Sequence, residues 1–306
     1  MKARVVPGAL VFLALLPVPA QAGPVPSEKP AAIDIGELVR RAAANFKERE
    51  ALRNDYTYLA HYVWSSSDPR RSRPRPSTAD FEIVFLEGEP YMRQTKSNDQ
   101  PLPPEQEERQ IAVMEAFAGA HREAKSRPGG LPAFYMALEL PVAQLPDAFD
   151  LHRKGRQRLH GREVFVIEAI PKDKPEPAGA DQEHARHFKM KLWIDPEEAQ
   201  IVRIVGEVVK EIVVTGVPMI SDPTGDEKPP VVESQRHRRL YKPGSTIDEE
   251  WTKLDDGAWL PKHVYSKIQE RIWLELPKED SSPWREVRDC TYSGYKKFHV
   301  KTTIVP

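Results

Sequence analysis

Apolar residues near the start of the folded part recur at helical spacing, and for most of the remaining length they alternate as strands do. Ile35, Leu38, Val39, Ala42 and Phe46 fall on one side of a helix, with Arg40, Arg41, Lys47 and Glu48 on the other. Asp34 stands where an N-cap belongs, and Glu37 follows at capping-box distance. From Asp55 the period becomes two, so Tyr56, Tyr58, Ala60, Tyr62 and Trp64 share one face of a strand. Strands are expected over 81–86 and 91–96, with Glu87-Gly88-Glu89-Pro90 as the turn between them. A second helix starts after Pro103-Pro104, where Glu105, Glu107 and Glu108 suit the positive end of the helix dipole. Ile111, Met114, Phe117 and Ala118 give it an apolar side, and Gly129-Gly130 ends it. Short helical turns are expected over 131–145.

The second half reads as strand after strand: 149–159, 161–170, 188–194, 201–214, 236–241, 247–254, 259–273 and 284–298. Polar loops over 171–187 and 218–230 interrupt it, and Asp255-Asp256-Gly257 is a tight turn. About ten strands joined largely as a meander, with two helices near the front, make an antiparallel sheet. Exposed sheet edges are a liability, so full or partial closure into a barrel is the economical arrangement. No internal repeat and no shift of composition marks a second domain, and 33–306 is read as one domain.

What precedes it is a targeting segment. Lys2 and Arg4 give a positive start, 5–16 is a short apolar run, and Ala20-Gln21-Ala22 offers small residues for signal peptidase. That run is shorter than the ~20 residues a membrane span needs, so cleavage after Ala22 and export to the periplasm are expected. Residues 23–32 are a Pro-rich lead-in. No Cys follows the cleavage point, so lipid anchoring there is not expected. Cys290 is the sole Cys, which excludes a disulfide within the chain and leaves stability to the core. Its place in a strand pattern predicts a buried, inert thiol.

Charge narrows the function classes. Lys and Arg number 45 against 46 Asp and Glu, a balance that argues against a nucleic-acid binder. Charged residues make up 30% and apolar residues 40%, a mixture that suits sheets with one wet face. No Gly-x-Ser-x-Gly elbow and no Gly-rich phosphate loop occurs. His184 and His187 lie in a loop ahead of a strand with Arg186 between them, and no third ligand is indicated. The Asp222 to Glu227 segment lacks the alternating ligands of a calcium loop. Neither catalysis, nor a metal, nor a cofactor is expected.

Certain segments taken together resemble a known family. They are Gly161-Arg162-Glu163-Val164-Phe165-Val166-Ile167-Glu168, Lys191-Leu192-Trp193-Ile194-Asp195, Ile201-Val202-Arg203-Ile204-Val205-Gly206-Glu207 and Asp256-Gly257-Ala258-Trp259-Leu260-Pro261. Following a helix, a strand and a basic loop, they make the chain similar to the periplasmic outer-membrane lipoprotein carriers (LolA/LolB-like). The resemblance covers roughly 35–298. It implies a curved antiparallel sheet forming a half-open barrel, covered by helices, whose concave apolar face takes up acyl chains. It further implies a carrier of an apolar or acylated ligand, a lipoprotein or lipid, between envelope membranes. A scaffolding or regulatory domain of the same fold, acting through an envelope protein partner, is the alternative. The chain is longer than a typical carrier.

Under the carrier reading the candidate lining is Tyr58, Tyr62, Phe81, Ile83, Phe85, Met190, Leu192, Ile194, Val264 and Ile268; as an alternative these are ordinary core positions beneath the helices. Ile272 continues the last of these rows. Arg70, Arg71, Arg73 and Arg75, in a Pro-rich basic loop, are candidates to meet the headgroups of an anionic membrane surface, each cation worth ~1 kcal/mol near such a surface.

Overall fold

The structure is a computed structural model, and it describes residues 33–67, 76–86, 89–125, 140–173, 180–215, 219–221, 231–233, 237–274 and 284–298. The targeting segment, Arg70, Arg71, Arg73 and Arg75, Gly129-Gly130 and the Asp222 to Glu227 loop lie outside the described residues. The chain from Asp34 onward forms one compact unit.

Helix α1 (Ile35–Arg53) begins where the cap residue predicts. The Asp34 carboxylate accepts from the backbone N–H of Gly36 at 2.8 Å and of Glu37 at 3.3 Å. The reciprocal half of the capping box is not made, because Glu37 pairs with Arg40 instead. Leu38, Val39, Ala42 and Ala43 are buried, as the helical spacing requires. Strands β1 (Tyr56–Ser67), β2 (Ser77–Leu86), β3 (Glu89–Ser97) and the two-residue β4 (Gln100–Pro101) follow, then helix α2 (Pro104–Lys125). A 3₁₀ turn (Val142–Gln144) and α3 (Leu145–Ala148) lead into β5 (Phe149–Leu159) and β6 (Arg162–Pro171). A short helix, α4 (Ala180–Ala185), precedes β7 (Phe188–Asp195) and β8 (Gln200–Val208). The remaining strands are β9 (Ile212–Thr215), β10 (Met219–Ser221), β11 (Val231–Glu233), β12 (His237–Tyr241), β13 (Thr246–Lys253), β14 (Trp259–Leu274) and β15 (Trp284–Lys297).

Thirteen strands form one antiparallel sheet in the order β4-β3-β2-β1-β15-β14-β13-β8-β7-β6-β5, with β12 and β9 attached beside the far half of β14. β10 and β11 make a separate hairpin. The sheet is not closed into a barrel, so the expected half-open arrangement is met. Two meanders are joined by the pairing of β1 with β15, which ties the start of the sheet to its last strand.

Three expectations differ in detail. The strand expected over 201–214 is broken into β8 and β9, while β12 and β13 beside it are the two separate strands expected over 236–241 and 247–254. At this bend the Val208 N–H donates to the Ser245 carbonyl (2.8 Å) and the Gly244 N–H to that of Val208 (2.9 Å). The fully buried Ser245 hydroxyl bridges to the backbone of Gln269. Backbone groups that a straight ladder would pair are thus satisfied around a corner. Second, the polar loop over 171–187 contains α4. Third, the strands outnumber the roughly ten expected, because the bend splits one of them, the two-residue β4 is added, and the β10–β11 hairpin borders the 222–230 segment.

The turns follow side-chain chemistry. His160 (φ 49°) and Gly161 (φ 80°) both take the left-handed conformation in the two-residue connection of β5 to β6, as a primed hairpin turn needs. The Asp255-Asp256-Gly257 turn closes with Leu254 N–H to Ala258 O at 2.8 Å.

The larger core lies where α1 and the segment from Leu140 to Ala148 cover β5 to β8 and β13. Gly206 on β8 makes this approach possible, since a Cβ there would stand 2.2 Å from Leu140 Cδ2. Gly206→Ala is expected to destabilise the fold by ~1–3 kcal/mol in urea unfolding, as overpacking does. In a Leu140→Ala background, itself costing ~2–5 kcal/mol, the added loss is expected to shrink to near zero; additive losses would refute the packing argument.

Candidate functional site

Residues directly opposite one another on neighbouring strands point to the same face. Tyr58 stands opposite Ile83, and Ala60 opposite Phe81. Tyr62 stands opposite Cys290, Cys290 opposite Val264, and Val264 opposite Glu249. Glu249 faces Ile204, Ile204 faces Leu192, and Leu192 faces Ile167. With strand alternation this row puts all ten candidates, Tyr58, Tyr62, Phe81, Ile83, Phe85, Met190, Leu192, Ile194, Val264 and Ile268, on one face of the sheet. Ile272 is on β14, four residues beyond Ile268, and pairs with Arg239 of β12.

The face has two halves with different cover. In one, Met190, Leu192 and Ile194 are at most 1% exposed and packed in a cluster with Leu38, Val39 and Ala42 of α1 and with Leu140, Val142 and Leu145. Ile268 belongs to this cluster as well. These four are core residues beneath a roof. In the other half, Tyr58 and Ile83 are buried with Tyr56, Ala60, Leu260 and Cys290. Around them Tyr62, Phe81, Phe85, Met92, Tyr292 and Tyr295 are only partly buried, and Val264 touches both clusters. The rings interlock edge to face: Tyr62 with Phe81 at 5.4 Å and Tyr58 with Tyr292 at 5.8 Å, with Tyr295 tilted against Tyr58 at 5.3 Å.

The groups buried in this aromatic half are polar but neutral, and the charges on the same face of β15, Glu286 and Arg288, pair with each other. Burial pushes the Cys290 thiol up to about 11 and the Tyr58 hydroxyl up to about 12, and raises Tyr292 and Tyr295 well above the ordinary phenol. Cys290, Tyr62 and Tyr292 bond to one another. The buried Tyr295 hydroxyl oxygen finds no hydrogen-bond partner among the described residues. Neutral, aromatic and partly open, this region suits an uncharged apolar group.

Arg49 marks the covered half. Its guanidinium lies 4.4 Å from the ring of Phe46 and 4.2 Å from that of Trp251, and donates to the Ile201 carbonyl at 2.8 Å. Burial lowers its pKa to about 10. It ties α1 to β8 and β13. Sequence spacing places Arg49 on the buried side of α1 with Leu38, Val39 and Ala42, a signal that went unused. Tyr292 likewise shares strand parity with Cys290.

The opposite face is charged. Lys154 and Lys189 flank Glu168, and their hydrogen bonds hold its carboxyl down at about 2. His61 and Lys96 flank Asp80, His160 and Lys262 meet at Glu250, Arg203 grips Asp248, and His263 meets Asp289. At the hairpin ends Glu198 accepts from Arg162, Lys253 and Trp259 at 2.8–3.0 Å. Burial raises its pKa, but these bonds outweigh burial and bring it to about 2.

Other candidates are placed as follows. His184 of α4 meets the ring of Phe188 edge to face, and His187 faces the Lys210 carbonyl. No group of three metal-ligating side chains occurs among the described residues. An open depression of about 480 Å³, bordered by Arg156, Gln157, Arg158, Gly161 and Glu163, lies at the end of the β5–β6 hairpin. No described helix is long and apolar enough to cross a membrane.

With this geometry in place, the chain is similar to three solved structures. A domain from Vibrio parahaemolyticus named for outer-membrane lipoprotein sorting matches at 12% identity and a TM-score of 0.33, over 87% of this chain and 95% of that one. A DUF1329 family protein from Desulfovibrio piger matches at 12% identity and TM-score 0.33, over 89% and 96%. A LolA superfamily protein from Nitrosomonas europaea matches at 10% identity and TM-score 0.30, over 88% and 96%. No family model matches the sequence, and no curated protein matches it.

Two outcomes are expected from the site. With its pKa near 11, Cys290 is about one part in a thousand thiolate at pH 8. A thiol-specific chromogenic reagent is expected to leave the native protein unlabelled for hours and to react with one thiol per chain after guanidinium unfolding. Glu198, depressed from its ordinary 4.5 to about 2, stabilises the fold fully above pH 4.5, and this contribution fades as pH falls toward 2. Urea unfolding between pH 5 and 3 is expected to show a shallower loss for Glu198→Gln than for the unaltered protein.

Proposed function

We propose that this protein is an exported, periplasmic binding protein that takes up an apolar or acylated ligand on the aromatic half of its sheet face. The observation that carries this is the unequal cover of one continuous face. Met190, Leu192, Ile194 and Ile268 are packed under the roof, while Tyr62, Phe81 and Phe85 keep part of their surface open. The ligand role therefore falls to Phe81, Phe85 and Tyr62, backed by Tyr58, Ile83 and Val264. The sealed residues serve as the support that holds the face in register.

Binding is reversible burial without covalent chemistry. The phenols and the thiol buried there are neutral, and Glu286 and Arg288 on the same face pair with each other, so an alkyl chain laid on Tyr62, Phe81 and Phe85 loses water without stranding an ion. Each methylene buried is worth ~0.8 kcal/mol, about fourfold in affinity. The charged opposite face keeps the sheet soluble and gives the apolar face its sidedness.

A series of fluorescent fatty-acyl probes tests this. Affinity is expected to rise about fifteenfold for every two methylenes up to the length that the face accommodates. Phe81→Glu is expected to weaken binding at least tenfold, while Val213→Glu, at an exposed site on β9, leaves it unchanged. Absence of saturable binding by the unaltered protein, or equal binding by Phe81→Glu, would overturn the proposal. Native mass spectrometry of protein taken from the periplasm, followed by lipid extraction, identifies the ligand class.

A further inference from the structure

The sheet ends in two very different edges. At one end stands β4, two residues long and closed by Pro101. At the other stands β5, eleven residues long, which among the described residues pairs with β6 on one side only. Backbone groups on the outer side of such a strand form a template for a further strand. A bulge between Arg153 and Gly155 divides β5, leaving a straight run from Gly155 to Leu159.

This edge is lined with cations. Arg153, Arg156 and Arg158 share the face of Phe165, and the guanidiniums of Arg153 and Arg156 lie 4.3 and 4.8 Å from its ring centre. Lys154 pairs with Glu168, and Arg156 with Glu163 at 2.5 Å. Arg158 donates to the Gly161 carbonyl at 3.3 Å. Arg153, Lys154, Arg156 and Arg158 are all exposed, and the depression of about 480 Å³ follows the run from Arg156 to Arg158. Basic side chains on an edge repel a second copy of the same edge. They do not repel an acidic strand, and a row of fixed guanidiniums offers it charge-assisted hydrogen bonds.

We propose that the free edge of β5, from Gly155 to Leu159, docks an extended acidic segment of a partner protein by strand addition. The backbone ladder supplies the pairing, and Arg153, Arg156 and Arg158 select carboxylates on alternate residues of the incoming strand. A membrane surface fits less well, because Lys154 and the arginines project to opposite faces of the strand. This surface is separate from the aromatic half of the sheet, so it stands whether or not that region takes an acyl chain.

The test uses a fluorescein-labelled ten-residue peptide of alternating Glu and Val, followed by fluorescence anisotropy at 50 and 300 mM salt. Saturable binding is expected that weakens at least tenfold at the higher salt. A peptide with Lys in place of Glu is expected not to bind. Replacing every second residue with Pro, which removes backbone donors while keeping the acids, is expected to weaken binding at least tenfold. The pair Arg156→Glu and Arg158→Glu is expected to abolish binding; if that variant misfolds by circular dichroism, the Gln pair takes its place. Hydrogen exchange is expected to show new protection at amides of 155–159 in the complex. Equal affinity of the Pro peptide would mean charge attraction alone and would overturn strand addition. So would absence of binding at 50 mM salt, or retained binding by the variants. Binding to phosphatidylglycerol vesicles that is lost in the variants, with none to the peptide, would assign the edge to a membrane instead.

Discussion

Cross-strand register is the constraint on which the rest of this structure depends. The row from Ile83 and Tyr58, through Tyr62, Cys290, Val264, Glu249, Ile204 and Leu192, to Ile167 runs across strands from both meanders. A slip of one residue anywhere along it would turn a strand's apolar set toward the charged face. Each slipped strand would then bury residues such as Lys189, Lys191 or Asp248 without partners. The cost of burying such groups fixes the pairing more firmly than the tight turns alone. Bulges occur at several places, for instance between Trp193 and Ile194 and between Glu250 and Trp251. They bend the sheet yet leave the apolar set on one side.

Once the register is fixed, the two faces become two environments. On the apolar face, burial suppresses ionisation: Cys290, Tyr58, Tyr292 and Tyr295 are all held neutral. On the other face, hydrogen bonds from lysines, joined at Asp80 by His61, hold carboxylates such as Glu168 and Asp80 ionised. The same sheet thus offers a largely apolar surface with neutral buried groups and a solvated surface of paired charges. Exposed pairs of this kind add little stability individually. Their larger effect is to make the wet face costly to bury.

Cover decides which part of the apolar face stays open. Helix α1 is held to the start of β8 by two side chains one turn apart. Asn45 donates to the carbonyls of Glu198 and Ala199, and Arg49 to that of Ile201. Leu140 fills the space that Gly206 leaves. These contacts seal β7 and its neighbours and leave the aromatic residues of β1, β2 and β15 with only partial cover. The basic β5 edge lies at the far end of the same sheet, so the two candidate binding surfaces use different physics, apolar burial in one and backbone pairing with charge in the other.

Local pattern was enough to read the element types. Alternation in 56–64, 81–86 and 188–194 determined strands, Asp34 determined the start of α1, and Asp256-Gly257 determined a hairpin, because each depends on neighbours in sequence. The ten lining candidates were legible as strand faces for the same reason, since parity along one strand is a local property. Which of them are sealed was not legible. Met190 and Phe81 look alike in sequence, and only the docking of α1 and Leu140 over β7 separates them. The bend at Val208 and Ser245 escaped too, since its hydrogen bonds join residues far apart in the chain. So did the distant partners of Arg49, Trp251 and Ile201, although its place on the buried side of α1 beside Phe46 follows from helical spacing. Sequence determined the period and the parity of the elements; the tertiary structure decided cover, because cover is set by long-range contacts between segments that no local pattern links.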